Sequence, residues 1–278
     1  MATVILVTGA GGKTGRAVLA ALHARGASTR ALLRKIAEVP ASEVMLGNLA
    51  ESSTIAAALQ GVQAVYFIAP NVYPDEASLG AAWIAAARAA GVRRFVYHSV
   101  LYPQIEAMPH HWQKLRVEEA LIQSGLDFTI LQPASYMQNI LPYLEDMRAH
   151  GEYSVPYSPH ALFTPVDLHD VAAVAAHVLL EPGHSGAMYP LAGPEALSSV
   201  QMARQVAGLI QRSVAAVQQP LSEWLAANQH LPAYARDTLA AMFAWYDQHG
   251  FAASATTLAS LLRRPPTRFA SFLQRELK

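Results

Sequence analysis

The sequence predicts an α/β fold: a doubly wound parallel sheet with a smaller, mostly helical C-terminal lobe. Three observations lead there. The chain opens on an apolar strand that runs into a glycine-rich turn, "TVILVTGAGGKTG". Apolar, β-branched runs then alternate with helical segments of about ten to fifteen residues, the spacing of parallel crossovers. After about residue 134 this rhythm gives way to short extended pieces and proline-broken helices.

The elements follow in order. "TVILVTGA" is continuously apolar, as expected of a strand covered on both faces. "TGRAVLAALHARG" has helical period and ends on Gly26. "STRALLR" and "EVMLGNL" read as the second and third strands. "SSTIAAALQG" is a helix opened by serine and closed by glycine. "QAVYFIAP" is a fourth strand stopped by Pro70, "SLGAAWIAAARAAG" a helix, and "RRFVYHSV" the fifth strand. "MPHHWQKLRVEEALIQSGL" is an amphipathic helix with a glycine stop, and "LDFTILQPA" the sixth strand. Residues 1–150 make the main domain, with "LFTPV" and "AMYPL", within 160–193, as segments that return to its sheet. A helix begins near Asp167, and residues 194–278 form the smaller, substrate-binding lobe.

Composition narrows the function classes. Of 278 residues, 53% are hydrophobic and 14% charged, a composition too apolar for disorder. Lys plus Arg and Asp plus Glu are both 20, so no basic excess points to nucleic acid. The absence of cysteine excludes disulfides, thiolate catalysis and cysteine metal sites. The opening segment lacks the basic leader of a signal peptide, and no run approaches the roughly 18 apolar residues of a membrane span. The expectation is a cytoplasmic protein, monomer or homodimer, acting on a small molecule. No histidine spacing suggests a metal.

The glycine turn carries the strongest chemical signal. Gly9, Gly12 and Gly15 are spaced Gly-x-x-Gly-x-x-Gly between a strand and a helix. Gly9 allows the tight turn, Gly12 lets the backbone approach a pyrophosphate, and Gly15 lets helix and strand pack closely. The helix N-terminus adds N–H groups and partial positive charge. With Gly11, Lys13 and Thr14, these residues form a candidate dinucleotide cradle. An acid closing the second strand would select NAD. Here that strand ends on Arg34 and Lys35, a cationic pair that favours the 2′-phosphate of NADP(H) over NAD(H). Asn48, beside Leu49, is placed for the adenine amino group, or is a turn asparagine. Ala69 and Pro70 end the fourth strand at the ligand crevice.

Several segments together resemble the NmrA-like family, an atypical branch of the short-chain dehydrogenases/reductases. They include "VTGAGGKTG", "RALLRK", "GNLAESSTIAAALQGVQAVYF", "HHWQKLRVEEALIQSGLDFTILQPASYMQN" and "PVDLHDVAAVAAHVLLEPGHSGAMYPLAGPEALS". The resemblance implies a Rossmann-type NADP domain and one of two functions. Some members are NAD(P)H-dependent reductases of quinones, dyes or related conjugated electrophiles. Others bind the dinucleotide as non-catalytic sensors or regulators. Two positions depart from the family pattern: Asn48 replaces the acid of "GDL", and Gln132 replaces the arginine of "RP".

Lys114 stands where relatives place the lysine that holds the nicotinamide ribose. The tyrosine that commonly precedes it by four positions is His110 here. His110 titrates in the right range for a proton donor. With Pro103 and Pro109 close by, an N-cap or solvent-facing histidine is the stronger reading. Ser99, ending the fifth strand, is a candidate for polarising a substrate carbonyl. Tyr102, Tyr136, Met137 and Asn139 are candidate pocket residues, and Asp167 reads as a helix cap. Without the tyrosine, ordinary alcohol–carbonyl chemistry lacks its acid. A conjugated, aromatic electrophile demands less, because its charge delocalises and orientation does most of the work.

Overall fold

The apolar runs become the strands that their burial requires. The computed structural model describes residues 3–277. In chain order, β1 (Val4–Val7), α1 (Lys13–Ala24), β2 (Ser28–Leu33), β3 (Glu43–Leu46), α2 (Ser52–Ala58), β4 (Ala64–Phe67), α3 (Glu76–Ala89), β5 (Arg94–His98), α4 (Pro109–Gln123) and β6 (Asp127–Pro133) alternate. A 3-10 helix (Met137–Tyr143), α5 (Leu144–His150), β7 (Glu152–Val155) and β8 (Leu162–Phe163) follow, then α6 (Leu168–Leu180) and β9 (Ala187–Leu191). The chain closes with β10 (Leu197–Ser198), α7 (Ser199–Ile210), β11 (Ala215–Gln218), α8 (Leu221–Ala227), α9 (Ala233–His249), α10 (Thr256–Leu262) and α11 (Phe269–Glu276).

Among the described residues the main sheet has seven strands, ordered β3-β2-β1-β4-β5-β6-β9. Strand pairs from β3 to β6 are parallel, with Val4 opposite Ser28 and Ile5 opposite Ala64. The order reverses between β1 and β4, which opens a crevice at their carboxyl ends, where open α/β sheets bind ligands. Thr8 stitches that edge: its Oγ1 accepts from Ile68 N–H at 2.7 Å and donates to the Ile68 carbonyl at 3.0 Å.

The chain divides into two units. The first holds the described residues through Gln104, His111–Gln132 and Leu168–Pro190. Its core includes Leu6, Phe67, Trp83, Phe95, Val117 and Ile130, each fully buried and each worth roughly 1.5–3 kcal/mol by apolar area. Arg94 closes α6 by donating to the carbonyls of Val178, Leu179 and Glu181, which have no acceptor role left inside the helix.

The second unit holds Ile105–His110, Pro133–Asp167 and the described residues from Leu191 on. The sequence reading set 1–150 and 194–278. Its core joins Met137, Ile140, Met147, Met202, Phe269 and Phe272. The aromatic run of α9 turns inward, with Tyr246 against Tyr157, Phe163 and Phe251. Asp167 is fully buried; Arg275 donates to both its oxygens at 2.7 and 3.1 Å, and Gln138 at 2.7 Å. Asp167 stands immediately before α6, in the place where the sequence suggests a helix cap, and periodicity gives no sign of partners this distant in the chain.

Some expectations change. "AMYPL" returns to the main sheet as β9, whereas "LFTPV" contributes β8, which pairs antiparallel with β10 in the second unit. A parallel pair, β7 with β11, went unread, because "AAVQ" is too short for a clear alternation. The N-cap of α2 is Glu51, not serine, with no side-chain cap bond.

Candidate functional site

The glycine turn is built as its spacing requires. Gly9 adopts φ +58°, and a β-carbon there would lie 3.1 Å from the Ile68 β-carbon. A β-carbon on Gly15 would lie 2.4 Å from the Gly9 carbonyl oxygen, so the helix meets the turn backbone to backbone. Gly12 is the N-cap of α1 and brings no side chain to the turn. Gly11, Gly12 and Lys13 are exposed, and Thr14 partly so. An uncapped helix N-terminus behind exposed backbone fits a pyrophosphate. Arg16, which sequence reasoning passed over, braces the loop: it donates to the Gly11 carbonyl at 3.0 Å and the Glu38 carbonyl at 2.7 Å.

Arg34 and Lys35 are exposed just beyond β2. Asn48 forms a turn, its Oδ1 accepting from Ala50 N–H at 3.1 Å. That oxygen is the atom an adenine amino group would need. Leu49 is buried, and its carbonyl accepts from the Trp83 indole at 2.9 Å. Ala69 is buried and Pro70 half-buried after β4.

Two strained residues follow β4 and β5. Val72 and Tyr102 adopt φ +48° and +53°, a left-handed conformation costly for a branched or bulky side chain. Both lie on loops at the carboxyl ends of the strands, where such strain concentrates at functional sites.

Around Lys114 the structure assembles a buried polar network. Lys114 Nζ lies 2.6 Å from Glu76 Oε1, and Tyr97 donates its hydroxyl to the same oxygen at 2.8 Å. Burial, with the Glu76 carboxylate beside it, pushes the Tyr97 phenol well above its usual range. One turn after Lys114, Glu118 accepts from the Ser99 hydroxyl and from Gln132 Nε2 at 2.9 and 3.1 Å. Desolvation raises the Glu118 carboxyl, while Ser99, Gln132 and Lys114 pull it down. Ser99 is buried and directs its proton to Glu118. Gln132 donates where the family arginine would stand.

His110 is neither an N-cap nor solvent-facing. α4 begins at Pro109, and His110 and His111 are both buried in its first turn. Desolvation lowers His111 to about 4, with Lys114 adding to the drop and the Tyr102 carbonyl, 3.2 Å away, opposing it. Tyr102 is half-buried. In the second unit, Tyr136 bridges to Val166, Asn139 is exposed, and Met137 is core rather than pocket. Glu76 and Glu118 were missed by sequence reasoning. The Lys114–Glu118 spacing of four was the available signal for one; nothing local marks Glu76. Among the described residues no cluster of three or more metal-type ligands occurs, and no helix is long and apolar enough to cross a membrane.

The sequence profile of the NmrA-like family matches residues 1–273. The chain belongs to the NmrA-like family. One relative, the NAD(P)H azoreductase of Xenophilus azovorans, is 32% identical over 276 residues, 96% of each chain. The NADPH-dependent quinone oxidoreductase QOR2 of Escherichia coli, solved with NADPH, superposes with a TM-score of 0.86 at 25% identity, covering 99% of this chain and 100% of that one. The negative transcriptional regulator Nmra, solved with NAD, shares the fold at TM-score 0.80 and 19% identity, over 98% and 94% of the two chains. The NmrA-like chain thus has the Rossmann-type parallel sheet and helical C-terminal part of this family.

Proposed function

We propose that this chain is an NADP(H)-dependent reductase of a quinone, azo dye, enone or similar conjugated electrophile. The observation that carries the reading is Lys114, held by the buried Glu76 carboxylate, which Tyr97 of β5 also bonds. The names of the azoreductase and quinone oxidoreductase relatives point the same way.

The glycine cradle fits a dinucleotide, because a β-carbon at Gly9 or Gly15 would strike backbone or Ile68. Gly9, Gly11, Gly12, Lys13, Thr14 and Gly15 would hold the pyrophosphate, and Arg34 with Lys35 the 2′-phosphate. Leu49, Ala69 and Pro70 would flank the adenosine, and Lys114 would donate to the nicotinamide ribose. Bound NAD(P)H supplies a hydride. The residues bind and orient, and burial keeps His111 uncharged until about pH 4. Charge delocalised over a conjugated acceptor lets solvent deliver the proton.

The test is NADPH oxidation by the purified protein across quinones, azo dyes and enones, with cofactor binding measured in the same sample. Acceptor-dependent oxidation is expected. Tight binding with no oxidation across the panel would overturn the reductase reading in favour of a dinucleotide sensor.

A further inference from the structure

We infer that Glu76 is a positioning residue, whose carboxylate holds the Lys114 ammonium in place for the cofactor, with Tyr97 fixing the carboxylate in turn. The inference rests on the reading of Lys114 as a cofactor contact and deepens it.

Geometry carries the argument. Glu76 is 1% exposed, and the Lys114 side chain 15%. A carboxylate so buried requires compensation. It receives Lys114 at 2.6 Å and the Tyr97 hydroxyl at 2.8 Å on one oxygen, and it sits in the first turn of α3, where the helix dipole favours an anion. Lysine has a long, flexible stem and three donors. Engaging one of them fixes the stem and leaves the others for a ligand. The ammonium is therefore ordered before the dinucleotide arrives, and binding does not have to order it.

Two further contacts fix the spacing of the helices that carry the pair. Gln113 accepts from Ala77 N–H at 3.2 Å, beside the ion pair. One turn along both helices, Gly80 meets Val117; a β-carbon on Gly80 would fall 2.6 Å from the valine methyls. The α3–α4 approach thus depends on Gly80, and the Glu76–Lys114 distance follows from it. The groups that face Lys114 electrostatically are Glu76 from α3, Tyr97 and His98 from β5, and His111 and Glu118 from α4.

The experiment is a double-mutant cycle on the full chain: the unaltered protein, Glu76→Gln, Lys114→Met and both together. NADPH dissociation constants are read by fluorescence, and kcat and KM with a benzoquinone as acceptor. Glu76→Gln is expected to weaken NADPH binding about tenfold when Lys114 is present, and by less than about twofold in the Lys114→Met background. Tyr97→Phe keeps the ring, is expected to cost about threefold, and serves if Glu76→Gln fails to fold. Equal losses in both backgrounds would overturn the inference while leaving Lys114 as a contact. An unaffected Lys114→Met variant would overturn the Lys114 reading, and this inference with it. Coupled binding losses in a protein that reduces no acceptor would leave Glu76 standing and sink the reductase alone.

Discussion

Gly9 and Gly15 meet through backbone alone: a β-carbon on Gly15 would lie 2.4 Å from the Gly9 carbonyl oxygen and 2.6 Å from the α-carbon of Ala10. Gly12 differs, since its β-carbon would come no closer than 3.4 Å to that carbonyl. The two positions should therefore separate folding from binding. Gly15→Ala is expected to lose about 1–3 kcal/mol of stability by overpacking, along with the cofactor. Gly12→Leu should cost about 1 kcal/mol as a poorer N-cap, yet abolish NADPH binding by blocking the pyrophosphate approach. Urea unfolding beside a fluorescence titration reads both, and the reverse pattern would count against the cradle.

Arg34 is the sharper of the two cations after β2, because its planar fork suits phosphate. Arg34→Ala should weaken NADPH by about ten- to a hundredfold, the scale of one or two charge-assisted bonds, and NADH far less. Equal losses for the two cofactors would remove the 2′-phosphate assignment.

Gln132 donates to both oxygens of the buried Glu118. Gln132→Leu leaves that carboxyl with one donor fewer and should cost about 1–3 kcal/mol. Gln132→Arg, restoring the family residue, should be tolerated better. Equilibrium unfolding of the two variants decides; a leucine variant as stable as the parent would mean the amide is dispensable.

Burial holds His98 near about 3 and His111 near about 4, with Lys114 adding to both shifts. The unfolded chain protonates these rings near pH 6.5. Below that point the unfolded state binds more protons, so stability falls on acidification from about pH 6.5 toward 3–4. By about pH 4.5 each ring should account for roughly 2–3 kcal/mol of loss. Glu118, raised by desolvation, opposes the trend. His111→Asn keeps a donor for the Tyr102 carbonyl and removes the titration. Its melting temperature should fall less between neutral and acid pH than the parent's, and parallel curves would refute the account.

The parallel sheet, the glycine turn and the cationic pair after β2 were legible in the chain, because each is written locally. A strand buried on both faces must be continuously apolar, a tight turn against a helix must be glycine, and a phosphate needs nearby cations. Lys114 was found by its place in a motif on one helix. The partners of these residues were not legible. Glu76 lies 38 positions from Lys114, and Arg275 lies 108 from Asp167. Exposure was misjudged for the same reason. Proline spacing put His110 at or before the helix start and suggested a cap or a solvent-facing ring, but what covers a first turn is decided by segments distant in sequence.

The sequence by itself determined the crossover topology, the glycine turn and the histidine that stands four positions before Lys114. These follow from steric and periodic rules that act within a few residues. Only the tertiary structure decided what surrounds Lys114: a carboxylate from α3, a phenol from β5 and, one turn away, a second acid whose donors come from just beyond β5 and from β6. Buried charge has to be matched in space, and the folded chain supplies the matching groups from elements that periodicity cannot bring together.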